Sequence, residues 1–314
     1  MKAVAGNIHL IDVLHVKPGG TCAYLITGGD SGKDCALIDC GGKNGEGQIL
    51  AALDELHIPA AAVKWLIATH AHLDHSGCAG SLMRHLPNAV FAAHPSAVKH
   101  LANPQMKLAR AVRSLYGDEL YDREYGELLP IIETRTHALQ DGESIKLNGA
   151  TLRAIYTPGH AWHHLSIFDE SAGVVFSGDS FGVCYGNDAS GDAAVMPVMP
   201  PTQLNLQAAR ESVKLQSALP AKFFALTHYG LIDNTPQAAE QQIKRMDEWE
   251  ALAEKTAAQD GDNFRAVFEP ALRSAVCDIL TSRGMEESII NRYANDTRLT
   301  ACGFAHLYNK TKAQ

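Results

Sequence analysis

The chain has 314 residues, which is enough to bury a large core in one domain or two. Its 46% hydrophobic and 20% charged residues are typical of a soluble globular protein. The net charge of -8 disfavours a nucleic-acid-binding groove, which needs a basic face. No N-terminal apolar stretch is long enough for a signal peptide or a membrane span. The cysteine number is odd and no Cys-x-x-Cys pair occurs, which favours a reduced protein in the cytoplasm.

The first third of the chain is predicted to alternate strands and helices. The predicted elements, in chain order, are strands at Ile8–Val13, Cys22–Thr27 and Cys35–Asp39, a helix at Gly45–Leu56, a strand at Val63–Ala68, a helix at Gly80–Leu86 and a strand at Ala89–Ala93. The Gly-rich stretch Gly28–Gly32 predicts a hairpin turn between two of the strands. Strands and helices that alternate in this way indicate an α/β unit.

The middle of the chain adds an inserted segment and a second group of strands. Residues 95–125 are predicted to form helices beside the strands. Strands resume at Ile145–Leu147 and continue to Asp179, and a helix is predicted at Leu204–Leu219. The Gly- and Pro-rich stretch Gly186–Pro201 is either a passive surface loop or a border of the substrate pocket.

The remainder, Pro236–Asn309, shows helical patterns throughout. We therefore expect a catalytic domain at residues 1–235 and a helical C-terminal extension at residues 236–314. The apolar residues of this extension must be buried against the catalytic domain or against a partner subunit. A shared tail would favour a C2 homodimer.

One tract is rich in residue types that bind metals. His70, His72, Asp74 and His75 lie within six residues, directly after the predicted strand Val63–Ala68. Side chains at positions i and i+2 of an extended segment point the same way, so His70 and His72 can converge on one metal ion. Asp74 and His75 fall where the chain turns, and they can face a second ion. Imidazole and carboxylate ligands together suit zinc, iron or manganese.

Further candidate ligands follow apolar stretches later in the chain. They are His160 after Thr157-Pro158-Gly159, Asp179 after Ser177-Gly178, and His228 after Leu226-Thr227. Upstream, Asp39 and Gly41 close the predicted strand Cys35–Asp39. These five segments, in this order over roughly residues 8–232, resemble the metallo-β-lactamase superfamily. The resemblance implies that family's αββα four-layer sandwich, an α/β fold, here with a helical C-terminal extension.

The resemblance also implies a ligand set for two divalent metal ions. The first ion would be bound by His70, His72 and His160, and the second by Asp74, His75 and His228, with Asp179 bridging them. Zinc is the expected metal, and iron or manganese would also suit these ligands.

Such a centre implies a metallo-hydrolase. A hydroxide that bridges the two metals would attack a carbonyl, and Asp74 and Asp179 would be the carboxylates of the catalytic centre. The expected substrate is a small-molecule ester, thioester or lactone, with neither nucleic acid nor membrane as a partner. Two alternatives remain open: a mononuclear iron enzyme of the persulfide-dioxygenase kind, and a non-catalytic metal-binding module.

Residues near these motifs have weaker assignments. Asp39 is expected to orient a metal-bound histidine, and His164 to support the site or to make a local hydrogen bond. Tyr185 and Tyr229 are either packed residues or donors to a developing oxyanion. The remaining candidates are expected to be structural, pocket-lining or surface residues: Cys78, His94, His100, Trp162, His163 and His306.

Overall fold

The computed structural model describes residues 1–28, 34–105, 108–186 and 193–312. Most of the predicted turn Gly28–Gly32 and part of the predicted loop Gly186–Pro201 lie outside the described residues. Two compact units are present in the described part of the chain. The first comprises Met1–Tyr156, His163–Gly178 and Ala221–Leu231, and the second comprises Thr157–Trp162, Asp179–Pro220 and Ile232–Gln314. The predicted boundary between residues 235 and 236 stays a prediction.

The first unit contains a sheet of seven strands, counted over the described residues, in chain order. The strands are β1 (Lys2–Ala5), β2 (Ile8–Asp12), β3 (Cys22–Ile26), β4 (Cys35–Ile38), β5 (Val63–Ile67), β6 (Val90–Ala93) and β7 (Thr136–Ala138). β1 to β4 pair antiparallel, and β4 to β7 pair parallel. The five strands predicted here are confirmed. β7 was missed because three residues are too short to show a period.

The second sheet has six strands among the described residues, in the order β13-β12-β11-β10-β9-β8. They are β8 (Ser144–Leu147), β9 (Ala150–Tyr156), β10 (Leu165–Asp169), β11 (Val174–Gly178), β12 (Phe223–Leu226) and β13 (Gly230–Asp233). β8 to β11 pair antiparallel, whereas β11 and β12 pair parallel. Both sheets are therefore mixed, as predicted.

The two sheets pack face to face, and alternate residues of β3 point into the cores on the two faces of its sheet. Tyr24 and Ile26 point into the core between the sheets, where the Tyr24 ring lies 5.2 Å from that of Phe176. Leu25 points the other way, into a second core that includes Leu53. Alternate residues of a strand face opposite sides. All five residues of β3 are buried because both faces of this sheet are covered.

Helices of the first unit cover the outer face of the first sheet and form the predicted insert. They are α1 (Gly45–Glu55), α2 (Leu73–Ser76), α3 (Ala79–His85), α4 (Pro95–Ala102), α5 (Leu108–Tyr116) and α6 (Asp118–Glu124). α4 begins where the His94 side chain accepts a hydrogen bond from the Ser96 amide, with Pro95 in the first turn. Tyr121, Tyr125 and Leu128 form a buried cluster with Leu73, so the insert packs directly on the histidine tract.

The second unit is largely helical. Its helices are α7 (Leu206–Ser217), α8 (Pro236–Asp260), α9 (Phe264–Ser282), α10 (Glu287–Ile290) and α11 (Ala294–Lys312). The helical character predicted for the tail is confirmed. Within this unit the tail packs on the preceding segment: the Tyr185 amide donates to the Tyr293 hydroxyl at 2.8 Å, and the Met199 amide donates to Thr300 Oγ1 at 3.2 Å. None of the described helices is long and apolar enough to cross a membrane.

Substitution of Phe268 tests whether the tail has a packed core of its own. Its ring is fully buried, 5.0 Å from Phe264 and 5.2 Å from Phe304. Phe268→Ala should lower the free energy of unfolding by about 3–5 kcal/mol, because the lost ring leaves a cavity. Val267→Ala, at a neighbouring exposed position, should change it by less than about 0.5 kcal/mol. Urea unfolding followed by circular dichroism measures both; equal effects would contradict a packed tail core.

Candidate metal centre

The histidine tract lies where β5 ends and α2 begins. His70 is completely buried, and its ring centroid is 4.4 Å from that of His72 and 4.1 Å from that of His75. The backbone at His72 is extended, with φ -65° and ψ 144°, before the chain enters α2. The imidazoles therefore converge, as the spacing of the tract predicts.

Asp74, His75 and His228 form a compact group in the first unit. One ligand atom from each lies within 4.8 Å of the other two. Asp74 Oδ2 is 3.3 Å from His228 Nε2 and 3.9 Å from His75 Nε2. His228 arrives from the second sheet, two residues after β12 ends. The two sheets thus contribute to one cluster through the ends of their strands.

The opposite ring nitrogens fix the tautomers of these two histidines. His75 Nδ1 lies 2.8 Å from Asp39 Oδ2, and His228 Nδ1 lies 2.8 Å from the Gly20 carbonyl oxygen. Carbonyl and carboxylate oxygens only accept, so each Nδ1 donates its proton outward. Each Nε2 is then left with a lone pair directed at Asp74. Metal-ligating histidines are held in this way, with the second nitrogen hydrogen-bonded to protein.

Asp39 is surrounded by donors. Besides His75, its carboxylate accepts hydrogen bonds from the Thr69 amide at 2.8 Å and from the Thr227 hydroxyl at 2.9 Å. The Thr69 hydroxyl lies 3.0 Å from both carboxylate oxygens. Asp39 itself has a φ of 57°, in the left-handed region that Asp tolerates better than most residues. The contact predicted between Asp39 and a histidine of the tract is present.

The Asp74 carboxylate is held ionised. Burial opposes its ionisation, but the positive charge of His75 when its imidazole is protonated, together with a hydrogen bond from His228, outweighs burial and keeps the pKa of Asp74 well below the usual value. Where the two imidazoles are neutral, a cation between His228 Nε2 and Asp74 Oδ2, which lie 3.3 Å apart, can supply that positive charge. Two ligands that bind one zinc tetrahedrally at ~2.0–2.1 Å lie about 3.3 Å apart. The donor set and its spacing therefore fit a divalent metal.

His160 and Asp179 lie together in the second unit. His160 Nε2 is 3.4 Å from Asp179 Oδ2, and its Nδ1 donates to the Val198 carbonyl oxygen at 2.9 Å. The pattern repeats that of His75 and His228: one nitrogen is held by the protein and the other faces a carboxylate. Gly159, with a φ of +133°, precedes His160, and a Cβ there would lie 2.4 Å from the Ala209 backbone. Close approach to α7 therefore requires glycine at this position.

The predicted ligands are thus distributed over both units. His70, His72, Asp74, His75 and His228 lie in the first unit, and His160 and Asp179 lie in the second.

His163, His164 and His100 extend the imidazole cluster within the first unit. The buried His164 ring is 4.9 Å from that of His70, and a Cβ at Gly178 would lie 2.6 Å from His164 Nε2. The Ala71 amide is 3.4 Å from His163 Nδ1, and His100 of α4 lies 5.6 Å from His163, ring to ring. His100 was expected to be a surface or local structural residue, and its ring contact is with His163, which was itself expected to be structural or pocket-lining.

Tyr229, Tyr185 and Cys78 have structural contacts. Tyr229 packs against the core between the sheets. The Tyr185 ring lies 4.9 Å from that of Tyr293. The Cys78 thiol is buried and donates to the Cys40 carbonyl oxygen at 3.1 Å. These contacts favour packing over chemistry for each of them.

Sequence reasoning missed several residues that hold the cluster in place. Thr69, Thr227 and Gly20 hydrogen-bond Asp39 or His228, yet threonine and glycine carry no metal signal in a sequence. Thr69 and Thr227 each directly precede a histidine of the cluster, which is the one clue that was available.

The family model of the metallo-beta-lactamase superfamily matches residues 16–228. The match covers more than half of the chain, and the chain therefore belongs to this superfamily. Its predicted fold, an αββα α/β sandwich with a helical C-terminal extension, is confirmed. The metallo-beta-lactamase superfamily protein ST1585 from Sulfolobus tokodaii has a solved structure that superposes with a TM-score of 0.62 at 26% identity. That superposition covers 76% of this chain and 85% of that one.

Curated relatives are similar at low identity. ST1585, under the organism name Sulfurisphaera tokodaii, is 29% identical over 185 residues, covering 58% of this chain and 66% of the relative. An atrochrysone carboxyl ACP thioesterase of Aspergillus fumigatus is 24% identical, covering 75% of this chain and 61% of the relative. The hydroxyacylglutathione hydrolase GloC of Haemophilus influenzae is 26% identical, covering 48% and 62%. The matched part of the chain spans under two thirds of the length of each of these relatives.

Asp39→Asn should weaken metal binding about 10- to 100-fold, because the new amide would turn a donor toward His75, Thr69 or Thr227. Competition with a chromophoric chelator measures the affinity. Asp169→Asn is the matched control: Asp169 is equally buried, but its Oδ1 accepts from the Ser171 and Ala172 amides, a role that an amide oxygen can retain. Equal affinities for wild type and Asp39→Asn would refute the orienting role of Asp39.

Proposed function

We propose that this protein is a binuclear metallo-hydrolase of carboxylic esters, thioesters or lactones. The observation that carries the proposal is the arrangement of His75, His228 and His160. In each, Nδ1 is held by a protein oxygen and Nε2 faces a carboxylate. That arrangement prepares imidazoles for a divalent metal. The names of two relatives, a thioesterase and a hydroxyacylglutathione hydrolase, support acyl transfer to water.

His70, His72 and His160 would hold one ion, and Asp74, His75 and His228 the other, with Asp179 touching both. Zinc fits this set best. When bound, two such ions supply a hydroxide nucleophile at neutral pH and polarise the substrate carbonyl.

The side chains themselves set up this chemistry. Asp74 and Asp179 offset part of the added positive charge, and Asp39 and the Gly20 carbonyl oxygen keep His75 and His228 in the correct tautomer. Because His75 and His228 are buried and hydrogen-bonded, little reorganisation of their rings is needed during the reaction.

The first test is metal number. Protein purified without chelator should contain two metal ions per chain by elemental analysis. Asp179→Ala should lower that number and abolish hydrolysis, because it removes a ligand shared by both ions. Cys184→Ala should retain both, since burial raises the pKa of this thiol to about 12 and leaves it protonated at neutral pH. One tightly bound iron, with oxygen uptake on a persulfide, would instead identify the redox alternative.

The second test is reaction class. Metal-loaded protein should hydrolyse p-nitrophenyl acetate, S-hexanoyl-N-acetylcysteamine or an N-acyl homoserine lactone. Removal of metal with dipicolinate should reduce turnover at least about 100-fold, and added Zn²⁺ should restore it. Bis(p-nitrophenyl) phosphate serves as the comparison substrate. Preference for this phosphodiester over all the acyl substrates would overturn the proposal.

A further inference from the structure

The segment of residues 157–162, between β9 and β10, is held to the start of α7. The Asn205 amide donates to the Gly159 carbonyl oxygen at 3.0 Å, and the Trp162 amide donates to Gln203 Oε1 at 2.9 Å. All of these residues belong to the second unit. Hydrogen bonds at two points restrict the backbone of the segment, so its side chains are presented from fixed positions.

The indole of Trp162 is not used by the fold. Trp162 is 55% exposed, and its amide is the one group of this residue that makes a hydrogen bond within the described part of the chain. The other two tryptophans have packing roles: Trp249 is buried, and Trp65 packs against the core between the sheets. A single exposed apolar residue is common on a protein surface, so the exposure of Trp162 gains meaning only from its position.

That position is beside two proposed metal ligands of the same unit. Trp162 follows His160 by two residues, and His160 Nε2 lies 3.4 Å from Asp179 Oδ2. Two residues of extended chain span at most about 7 Å, so the indole begins close to His160. Ala161 between them is fully buried and fixes the chain there. A substrate whose reacting group lies at His160 and Asp179 is therefore within reach of the indole.

The chemistry of an indole defines what it can bind. Its faces are flat and apolar, and it carries no charge at any pH, so its preference does not depend on the protonation of nearby groups. Tryptophan also offers a large contact area with few rotatable bonds, and little conformational entropy is lost when a ligand covers it. An aromatic or other bulky apolar group gains most from such a surface, whereas an acetyl group is too small to cover it.

We propose that Trp162 is a specificity-determining residue whose indole packs against an apolar group of the substrate, beside His160 and Asp179. Substrates with an aromatic or bulky apolar group are then preferred over small ones such as acetyl compounds. This inference rests on the proposed hydrolase function and specifies which esters, thioesters or lactones the protein takes. Trp162 is not a proposed metal ligand, so its substitution leaves the metal centre complete.

Two hydroxamates test this contact without turnover. Phenylacetohydroxamate and acetohydroxamate share a group whose oxygens bind zinc, and they differ by one phenyl ring. Calorimetry on the zinc-loaded full chain should show tighter binding of the phenyl compound. Trp162→Ala should weaken binding of that compound about three- to tenfold, the contribution of one aromatic contact, and leave acetohydroxamate unchanged. Trp162→Phe keeps an aromatic face and should lose less than about threefold.

Fluorescence gives a second readout of the same contact. Phenylacetohydroxamate should protect wild type from quenching by acrylamide, because it covers the exposed indole, and it should give no protection in Trp162→Ala. Leu215→Ala is the matched control: Leu215 lies on α7 in the same unit and is 47% exposed. This variant should change neither hydroxamate affinity. Zinc content should be equal in all variants.

Equal loss for both hydroxamates, absence of protection from acrylamide, or an equal effect of Leu215→Ala would overturn the proposal. So would sedimentation showing that Trp162→Ala dissociates a wild-type dimer, because the ring would then be a contact between subunits. Failure of wild type to hydrolyse any acyl substrate would count against the hydrolase proposal alone, since the hydroxamate affinities do not depend on turnover.

Discussion

The rest of the centre depends on the hydrogen bonds that the Asp39 carboxylate accepts. It accepts hydrogen bonds from Thr69 after β5, from Thr227 after β12 and from His75 before α3. One buried acceptor therefore joins strand ends from both sheets with the histidine tract. A buried carboxylate is costly unless it is hydrogen-bonded, and Asp39 accepts from Thr69, Thr227 and His75. The same contacts that make Asp39 tolerable in the core also fix the His75 ring.

Much of the fold could be predicted because its signals are local. The apolar run before His70 and the Gly and Asp residues at strand ends mark strands whose carboxyl ends meet at one edge. The helical period of the tail predicts helices throughout Pro236–Asn309, and α8, α9 and α11 lie there. The short strands β1, β7 and β13 were missed: β7 has only three residues, and the four residues of β1 and of β13 show no alternation of apolar and polar types. Their pairing is decided by neighbouring strands and not by their own sequence.

The sequence predicts candidate ligands where they cluster in one tract, and the family resemblance adds His160, Asp179 and His228; it does not predict contacts between distant residues that stand in no motif. Three imidazoles and a carboxylate within six residues leave few alternatives to a metal. His15 and Tyr125 are 110 positions apart, and neither stands in a motif, so only the folded chain brings them together. The positive φ values at Leu14 and Val16 are likewise invisible in a sequence, because both residue types usually indicate a strand or a helix.

These contacts give the sheets and the insertions different roles. The sheets place the histidines and carboxylates, and a metallo-β-lactamase scaffold that does only this can serve many substrates. Differences in substrate preference between members must then come from segments added at strand ends, where the backbone is exposed and insertions are tolerated. In this chain the loop of residues 13–21, between β2 and β3, meets the helical insert at one such end, and Glu124 holds the loop through the Val16 amide. Tyr121 and Tyr125 of the insert also pack on Leu73, so a change in the insert reaches both the loop and the histidine tract.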